Sequence, residues 1–170
     1  GGLVRSGEYR AKDSLLSGPA GGVVGAAGAG RRSGFERVIS FDMGGTSTDV
    51  CRIDDAAVDV SYERSIDGYT CRLPAVGVHT VGAGGGSIAW IDSGGALRVG
   101  PRSAGARPGP AAYGLGGVEA TVTDANVVLG RIGPNASFGG AVEIDAERAR
   151  RAVAGLASQL SMSTVDTALG

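Results

Sequence analysis

The sequence predicts an α/β fold in which a mixed sheet with β-hairpins is flanked by helices. Short apolar runs rich in β-branched residues alternate with glycine-containing turns, as in 37–53, which is typical of strands joined in hairpins. Residues 145–160 instead repeat apolar side chains at helical spacing behind the N-cap residue Asp145. The 170 residues, 42% of them hydrophobic and 19% charged, match the composition of one folded domain or a part of one.

The predicted elements begin with a helix made mostly of small residues. It starts at Ser17, has Pro19 in its first turn and runs to Gly30. Each interior glycine costs a helix about 0.5–1 kcal/mol relative to alanine, so this helix requires a surface that packs closely against it. The predicted strands that follow are RVISF, VCRI, parts of 56–64 and 77–86, and a hairpin of SIAWID with ALRVG.

Beyond the hairpin, residues 100–120 hold three of the six prolines and show no apolar periodicity, which predicts a long ordered loop. Helices are predicted after this loop from their start signals. These signals are Thr123 or Asp124, then Asp145, and finally Ser163 with Asp166 in a capping box.

Charge and cysteine content exclude several classes of function. The net charge of -1 gives no electrostatic reason to bind nucleic acid or an acidic membrane. No apolar run approaches the length of a membrane span, and no signal peptide is evident. Cys51 and Cys71 belong to no CxxC or Cys/His cluster, which predicts reduced, buried thiols in a cytoplasmic protein.

The stretch FDMGGTSTDV, residues 41–50, carries the chemistry. Its polar and flexible positions are the glycines Gly44 and Gly45, the hydroxyls of Thr46, Ser47 and Thr48, and the carboxylates of Asp42 and Asp49. Glycine N–H groups can approach phosphate without steric obstruction, whereas carboxylates require a divalent cation or its water in between. This pattern indicates a magnesium–nucleotide site, although an ordinary hairpin with a Gly-Gly turn has the same local sequence.

Two other phosphate motifs are excluded by inspection. The chain has no GxxxxGK[ST] run and therefore no P-loop. The run GAGGGS at 82–87 has Ser87 where a dinucleotide fingerprint needs its third glycine, and a strand pattern follows it where a helix is required.

Five blocks of the chain together carry a specific resemblance. They are LLSGPAGGVVGA, FDMGGTSTDV, TVGAGGGSIAWID, VGPRSAGARPGPAAYG and TVTDANVVLGRI. As a set they are similar to the ATP-dependent hydantoinase A and 5-oxoprolinase family, and FDMGGTSTDV resembles the second phosphate motif of the actin-like ATPase superfamily. The resemblance implies a single, partial, ribonuclease H-like actin-type ATPase domain over 1–170. It has its second phosphate motif at 41–50, a Gly/Pro-rich loop at 82–117 and C-terminal helices at 145–170.

The resemblance also implies an activity. It is the ATP-dependent hydrolysis of a lactam or cyclic imide, of hydantoin or 5-oxoproline type, through phosphorylation of the carbonyl oxygen. The implied cofactors are ATP and Mg²⁺ or another divalent metal, and the implied partner is a hydantoinase B-type subunit or domain. A ketone carboxylase subunit of the same family and a non-catalytic actin-like nucleotide-binding module stay open as alternatives.

Two departures from the family pattern matter. Ala112 stands where the family usually has a cysteine. No earlier DxGGTxTD motif precedes FDMGGTSTDV in this chain. We therefore expect the chain to be part of a larger subunit, and the 170 residues alone to be inactive.

The resemblance assigns site residues in three sets. The catalytic set is Asp42, Asp49 and His79; the cofactor-binding set is Gly44, Gly45, Thr46, Thr48, Gly84, Gly85, Gly86 and Ser87; the metal set is Asp42, Asp49, His79 and Asp124. Structural roles stay open for some of them: a tight turn for 82–87, a helix cap for Asp124 and a packing role for His79. Arg102 and Arg107 either bind a substrate carboxylate or pin the loop.

Overall fold

The structure is a computed structural model that describes residues 5–10, 17–55, 57–61, 63–66, 68–72, 75–133, 136–138 and 142–170. The chain divides into two compact units. The first comprises Gly1–Asp42 and Asp49–Val81, and the second comprises Met43–Thr48 and Gly82–Gly170. The short segment Met43–Thr48 is thus grouped with the second unit, although in sequence it lies between two segments of the first.

The first unit combines helix α1 (Ser17–Arg32) with short strands. These are β1 (Arg37–Met43), β2 (Thr48–Asp54), β3 (Ala57–Val58), β4 (Val60–Ser61), β5 (Arg64–Ile66), β6 (Tyr69–Cys71), β7 (Ala75–Val76) and β8 (His79–Val81). Strands β1, β2 and β3 are neighbours in that order, and β8 also pairs with β2. Strands β4 and β7 form one antiparallel pair, and β5 and β6 form another.

Helix α1 confirms the predicted helix of small residues. The buried core of this unit consists of Val23, Ala27, Cys51, Ile53 and Val78. Gly30 shows the close approach that such a glycine-rich helix requires, because a Cβ at this position would collide with Cγ2 of Val38.

Cys51 is a free thiol that is only 2% exposed. Burial raises the pKa of this thiol, and the Asp59 carboxylate raises it further. A raised pKa keeps the sulfur protonated and unreactive, in line with the buried thiol that the sequence predicted. The same prediction for the side chain of Cys71 falls outside the described part of the structure.

The second unit contains a β-hairpin, a short strand pair and helices. These are β9 (Ser87–Ile91), β10 (Leu97–Ser103), α2 (Val122–Val128), β11 (Ser137–Phe138), β12 (Val142–Glu143), α3 (Ala146–Leu160) and α4 (Thr164–Leu169). Strands β9 and β10 are antiparallel, as are β11 and β12. Ala112, Val127, Ile144 and Ala149 form its buried core. The mixed α/β architecture with β-hairpins is therefore as predicted.

The starts of α3 and α4 are also confirmed. The Asp145 carboxylate accepts the N–H groups of Glu147 and Arg148, and the Ser163 hydroxyl accepts that of Asp166. Side-chain acceptors at this position satisfy N–H groups that have no partner inside the helix.

Three details differ from the sequence prediction. Strand β10 continues to Ser103, so the predicted loop begins later, and within it Ala111–Tyr113 forms a 3-10 helix. Helix α2 is capped by Thr121, two residues before the earlier of the predicted starts. Trp90, for which the apolar strand pattern SIAWID predicts a core position, is 37% exposed, and its indole N–H donates to the Gly100 carbonyl across 2.6 Å. Within the described ranges, no helix combines the length and the apolar character needed to cross a membrane.

The close packing of α1 predicts opposite effects for two alanine substitutions. We expect Gly30→Ala to lower the free energy of unfolding by about 1–3 kcal/mol, because the added methyl group would collide with Val38. Gly25→Ala is the matched control, since nothing lies within 4 Å of its added methyl group. It should raise the free energy of unfolding by about 0.5–1 kcal/mol through helix propensity. Urea unfolding measures both, and effects of the same sign would contradict the role given to Gly30.

Candidate functional site

The predicted phosphate motif forms a tight turn between β1 and β2, within the second unit. The Gly44 N–H donates to the Ser47 carbonyl across 2.9 Å. Among the residues that the structure describes, the N–H groups of Gly45, Thr46 and Ser47 donate to no protein acceptor. Successive unpaired backbone donors in a turn create a concave site that attracts anions.

Gly84 lies directly against this turn. A Cβ on Gly84 would lie 2.6 Å from the nitrogen of Thr46, 2.7 Å from that of Ser47 and 2.7 Å from the oxygen of Gly44. All three contacts would be too short for a real Cβ, so only glycine lets the two stretches of backbone approach this closely. The three successive N–H groups of the turn that donate to no protein acceptor are donors of the kind that a phosphate requires, so the residues present fit a nucleotide phosphate.

Gly85 and Gly86 hold the turn through their backbone. The Gly85 N–H donates to the Gly44 carbonyl across 2.9 Å, and the Gly86 N–H donates to the Gly45 carbonyl across 2.6 Å. Both N–H groups are thus used within the protein. Of the two roles that the sequence left open for 82–87, these two glycines perform the structural one.

Thr48 and Ser87 also direct their polar groups inward. The Thr48 hydroxyl donates to the Ala83 carbonyl across 2.5 Å, and Thr48 is only 3% exposed. The Ser87 hydroxyl accepts the Gly84 N–H at 2.8 Å, and the Ser87 N–H returns a bond to the Gly84 carbonyl at 2.9 Å. The structure therefore gives both residues the task of fixing the loop, in place of the predicted contact with a cofactor.

Asp124 is fully buried and its carboxylate is surrounded by protein donors. It accepts the N–H of Ala111 at 3.3 Å, the N–H of Ala112 at 2.8 Å, and both the N–H and the hydroxyl of Thr121 at 2.9 and 2.7 Å. Three of these donors bond to Oδ2 and one to Oδ1, so both oxygens of the enclosed carboxylate are held by protein donors. The structure thus supports the helix-capping alternative for Asp124 and not the predicted metal contact.

In the first unit, Asp42 and Asp49 line the same cavity of about 350 Å³, beside Gly22 of α1. Asp42 is exposed, whereas Asp49 is half-buried and accepts the Thr80 hydroxyl at 2.7 Å. The structure therefore brings together the two carboxylates that the sequence predicted for Mg²⁺. Thr80 was not singled out in the sequence, where its position two residues before the GAGGGS run was the only signal.

His79 does not join these carboxylates. It precedes Thr80 on β8, and adjacent side chains of a strand point to opposite faces, so the bond from Thr80 to Asp49 directs His79 away from Asp49. No cluster of three or more His, Cys, Asp or Glu side chains suited to a metal ion occurs in the described part of the chain. The four predicted metal ligands therefore do not form one site. Mg²⁺ is usually held by one or two carboxylates together with several waters.

The two arginines of the proline-rich loop differ. Arg102 forms an ion pair with Glu119 at 3.0 Å, which fits the loop-pinning alternative. Arg107 forms no ion pair with any carboxylate that the structure describes, and it lines a cavity of the second unit.

Comparison with known proteins gives consistent matches. The family model described as Hydantoinase/oxoprolinase matches residues 1–170. Caprolactamase subunit alpha from Pseudomonas jessenii is 41% identical, over 95% of this chain and 23% of that protein. The 5-oxoprolinase of Saccharomyces cerevisiae is 48% identical, over 79% of this chain and 10% of that protein.

Solved structures agree with the sequence matches. The crystal structure of the ATP-dependent caprolactamase from Pseudomonas jessenii aligns with a TM-score of 0.77 at 41% identity, covering 95% of this chain and 23% of that one. Nucleotide-free acetone carboxylase aligns with a TM-score of 0.76 at 35% identity, covering 91% of this chain and 22% of that one. The chain spans less than a quarter of the length of each of these relatives.

The capping role of Asp124 predicts a loss of stability. We expect Asp124→Asn to lower the free energy of unfolding by about 1–3 kcal/mol, because an amide places its own N–H groups against buried donors. Asp166→Asn is the matched control, since Asp166 holds the same position in α4 but is exposed, and its cost should stay below about 0.5 kcal/mol. Denaturant unfolding measures both. Unchanged stability of Asp124→Asn would contradict the capping role.

Proposed function

This chain belongs to the hydantoinase/oxoprolinase family, and on that basis we propose that it is part of an ATP-dependent hydrolase that opens a lactam or cyclic imide of hydantoin or 5-oxoproline type. The observation that carries the proposal is the phosphate turn of the second unit, where the N–H groups of Gly45, Thr46 and Ser47 donate to no acceptor among the described residues. Family members named caprolactamase and 5-oxoprolinase support the choice of a cyclic amide as substrate.

Backbone donors would bind the nucleotide. In the second unit, the N–H groups of Gly45, Thr46 and Ser47 would hold phosphate oxygens, and the hydroxyl of Thr46 would add a donor. Gly44 would contribute by its lack of a Cβ, while its carbonyl anchors the turn to Gly85. We propose the actin-like ATPase fold on the same grounds, since a helix of small residues, two strands and a phosphate turn follow in the order of that superfamily.

Asp42 and Asp49 would hold the metal ion in the first unit. Both line one cavity, and the bond from Thr80 fixes the orientation of the Asp49 carboxylate. Bound to these carboxylates directly or through its own waters, Mg²⁺ would supply the positive charge that phosphoryl transfer requires. His79 is left without a place in this proposal.

The chemistry explains why such a reaction uses ATP. An amide is resonance-stabilised and is therefore a poor electrophile. Transfer of a phosphoryl group from ATP to the amide oxygen creates a good leaving group, and water then attacks the activated carbon. Positioning and charge neutralisation supply most of the catalysis in phosphoryl transfer, which matches a site built from backbone donors and carboxylates.

An ATP-dependent ketone carboxylase is the second candidate, because acetone carboxylase is among the structural relatives. A non-catalytic actin-like nucleotide-binding module is the third. The proline-rich loop after GAGGGS favours the first two, since actin-like chaperones lack such a block. We further propose a hydantoinase B-type partner and a cytoplasmic location, the latter from the free, buried thiol of Cys51.

ATP turnover by the full-length subunit with its partner tests the proposed function. The reaction is followed with hydantoins, with 5-oxoproline and other lactams, and with ketones plus bicarbonate. We expect turnover to depend on a cyclic amide. Turnover that depends only on ketone and bicarbonate would establish the carboxylase, and turnover independent of every substrate would establish the nucleotide-binding module.

The proposed role of Asp49 predicts a catalytic defect. We expect Asp49→Asn to lower ATP turnover at least tenfold without changing the melting temperature, because a neutral amide binds Mg²⁺ far more weakly than a carboxylate does. Asp55→Asn is the control, since Asp55 is exposed and its positive φ suits asparagine. Normal turnover by Asp49→Asn would refute the assignment.

The close contact of Gly84 with the phosphate turn predicts a second, independent defect. We expect Gly84→Ala to weaken ATP binding by about tenfold or more, because its methyl group would collide with the backbone of Thr46 and Ser47 and displace their N–H groups. Gly82→Ala should bind ATP normally, since nothing lies within 4 Å of the methyl group added there. Calorimetric titration of the full-length subunit measures both affinities. Equal affinities for ATP would show that phosphate does not bind at this turn.

A further inference from the structure

The second unit holds a larger cavity that the proposed nucleotide site does not use. Its volume is about 520 Å³, within the range of about 300–1,000 Å³ that is usual for small-molecule sites. Apolar atoms of Ile88, Pro108 and Val118 form part of its wall. We refer to it below as the loop cavity, because most of its wall comes from the proline-rich loop.

The charges of the loop cavity do not cancel. Its wall contains two guanidinium groups, those of Arg102 and Arg107, and one carboxylate, that of Glu119. Glu119 is committed to Arg102 across 3.0 Å. Arg107 has no such partner among the carboxylates that the structure describes, so its positive charge is available to an anionic ligand.

Ser103 adds a neutral donor to the same wall. Its hydroxyl oxygen accepts the N–H of Gly105 at 3.1 Å, and the hydroxyl proton is left to donate to another acceptor. The planar fork of N–H donors of Arg107 and the hydroxyl donor of Ser103, on a wall that also has apolar parts, match a small organic molecule that carries a carboxylate.

Gly86 connects the loop cavity to the phosphate turn. A Cβ on Gly86 would lie 2.9 Å from the Gly45 carbonyl oxygen and 3.0 Å from the Ser103 hydroxyl oxygen. The Gly86 N–H donates to the Gly45 carbonyl, and the Gly86 carbonyl accepts the N–H of Ala104, another residue of the cavity wall. Gly86 thus joins the wall of the loop cavity to the phosphate turn, and the two lie next to each other within the second unit.

We propose that the loop cavity is the substrate pocket and that its substrate carries a carboxylate bound by Arg107. The inference rests on the proposed function, because it identifies the cavity by its nearness to the phosphate turn. A carboxylate has two sources in the candidate reactions, namely a group attached to a lactam ring and bicarbonate. The cavity volume and the apolar part of its wall favour the organic molecule, because bicarbonate is too small to fill the cavity.

Binding measurements on the full-length subunit with its partner test the proposal. Calorimetry, with a non-hydrolysable ATP analogue present, compares 5-oxoproline with 2-pyrrolidinone, the same ring without the carboxylate, and with bicarbonate. We expect Arg107→Ala to weaken 5-oxoproline binding by about tenfold or more and to leave the affinity for 2-pyrrolidinone unchanged. Arg107→Lys keeps the positive charge but loses the planar fork of donors. Its affinity for 5-oxoproline should therefore lie between that of the unmodified protein and that of Arg107→Ala.

Arg150→Ala is the matched control, since Arg150 is an exposed arginine of α3 that lines no cavity described above. It should bind every probe as the unmodified protein does. The proposal is overturned if Arg107→Ala binds 5-oxoproline normally, if it weakens both lactams equally, or if only bicarbonate binds. Binding is measured without turnover, so the two results can be interpreted separately. A failure of lactam-dependent ATP hydrolysis would count against the proposed function, whereas the binding data would still test the role of Arg107.

Discussion

The candidate site depends on contact between two stretches of backbone that have no side chains between them. The carbonyls of Gly44 and Gly45 each accept one N–H from the run 82–87, and a Cβ at Gly84 or Gly86 would force these stretches apart. With both carbonyls bound, the peptide groups of the turn have little freedom to rotate. The N–H groups on the other side of those peptides are therefore directed before any ligand arrives, which is the preorganisation that electrostatic catalysis requires.

The same loop transmits this constraint to the rest of the second unit. The Gly85 carbonyl accepts the N–H of Thr123 at 2.8 Å, so the loop is bound to the first turn of α2. That turn is held by the buried carboxylate of Asp124, which is stable without a counter-ion because four donors surround it. The Asp124 carboxylate, which the sequence suggested as a metal ligand, thus stabilises the helix start to which the glycine loop is bound.

The sequence alone predicted those structural elements whose signals lie close together along the chain. The starts of α3 and α4 follow from side-chain caps within three residues of Asp145 and Ser163, and the hairpin of β9 and β10 follows from alternation around a turn. The bond of Thr48 to Ala83 and that of Asp124 to Ala112 join residues 35 and 12 positions apart, and no local pattern encodes these two contacts. The cap of α2 is a different case, because Thr121 and Asp124 had the spacing of a capping box.

Trp90 is a natural fluorescent probe of the proline-rich loop. It is the single tryptophan of the sequence, and its indole N–H is bound to the Gly100 carbonyl, at the point where β10 leads into the proline-rich segment. The ring is part-exposed and lines a cavity together with Arg102 and Glu119. Indole emission responds to the polarity of its surroundings, so a movement of this segment would change the fluorescence of the unlabelled chain.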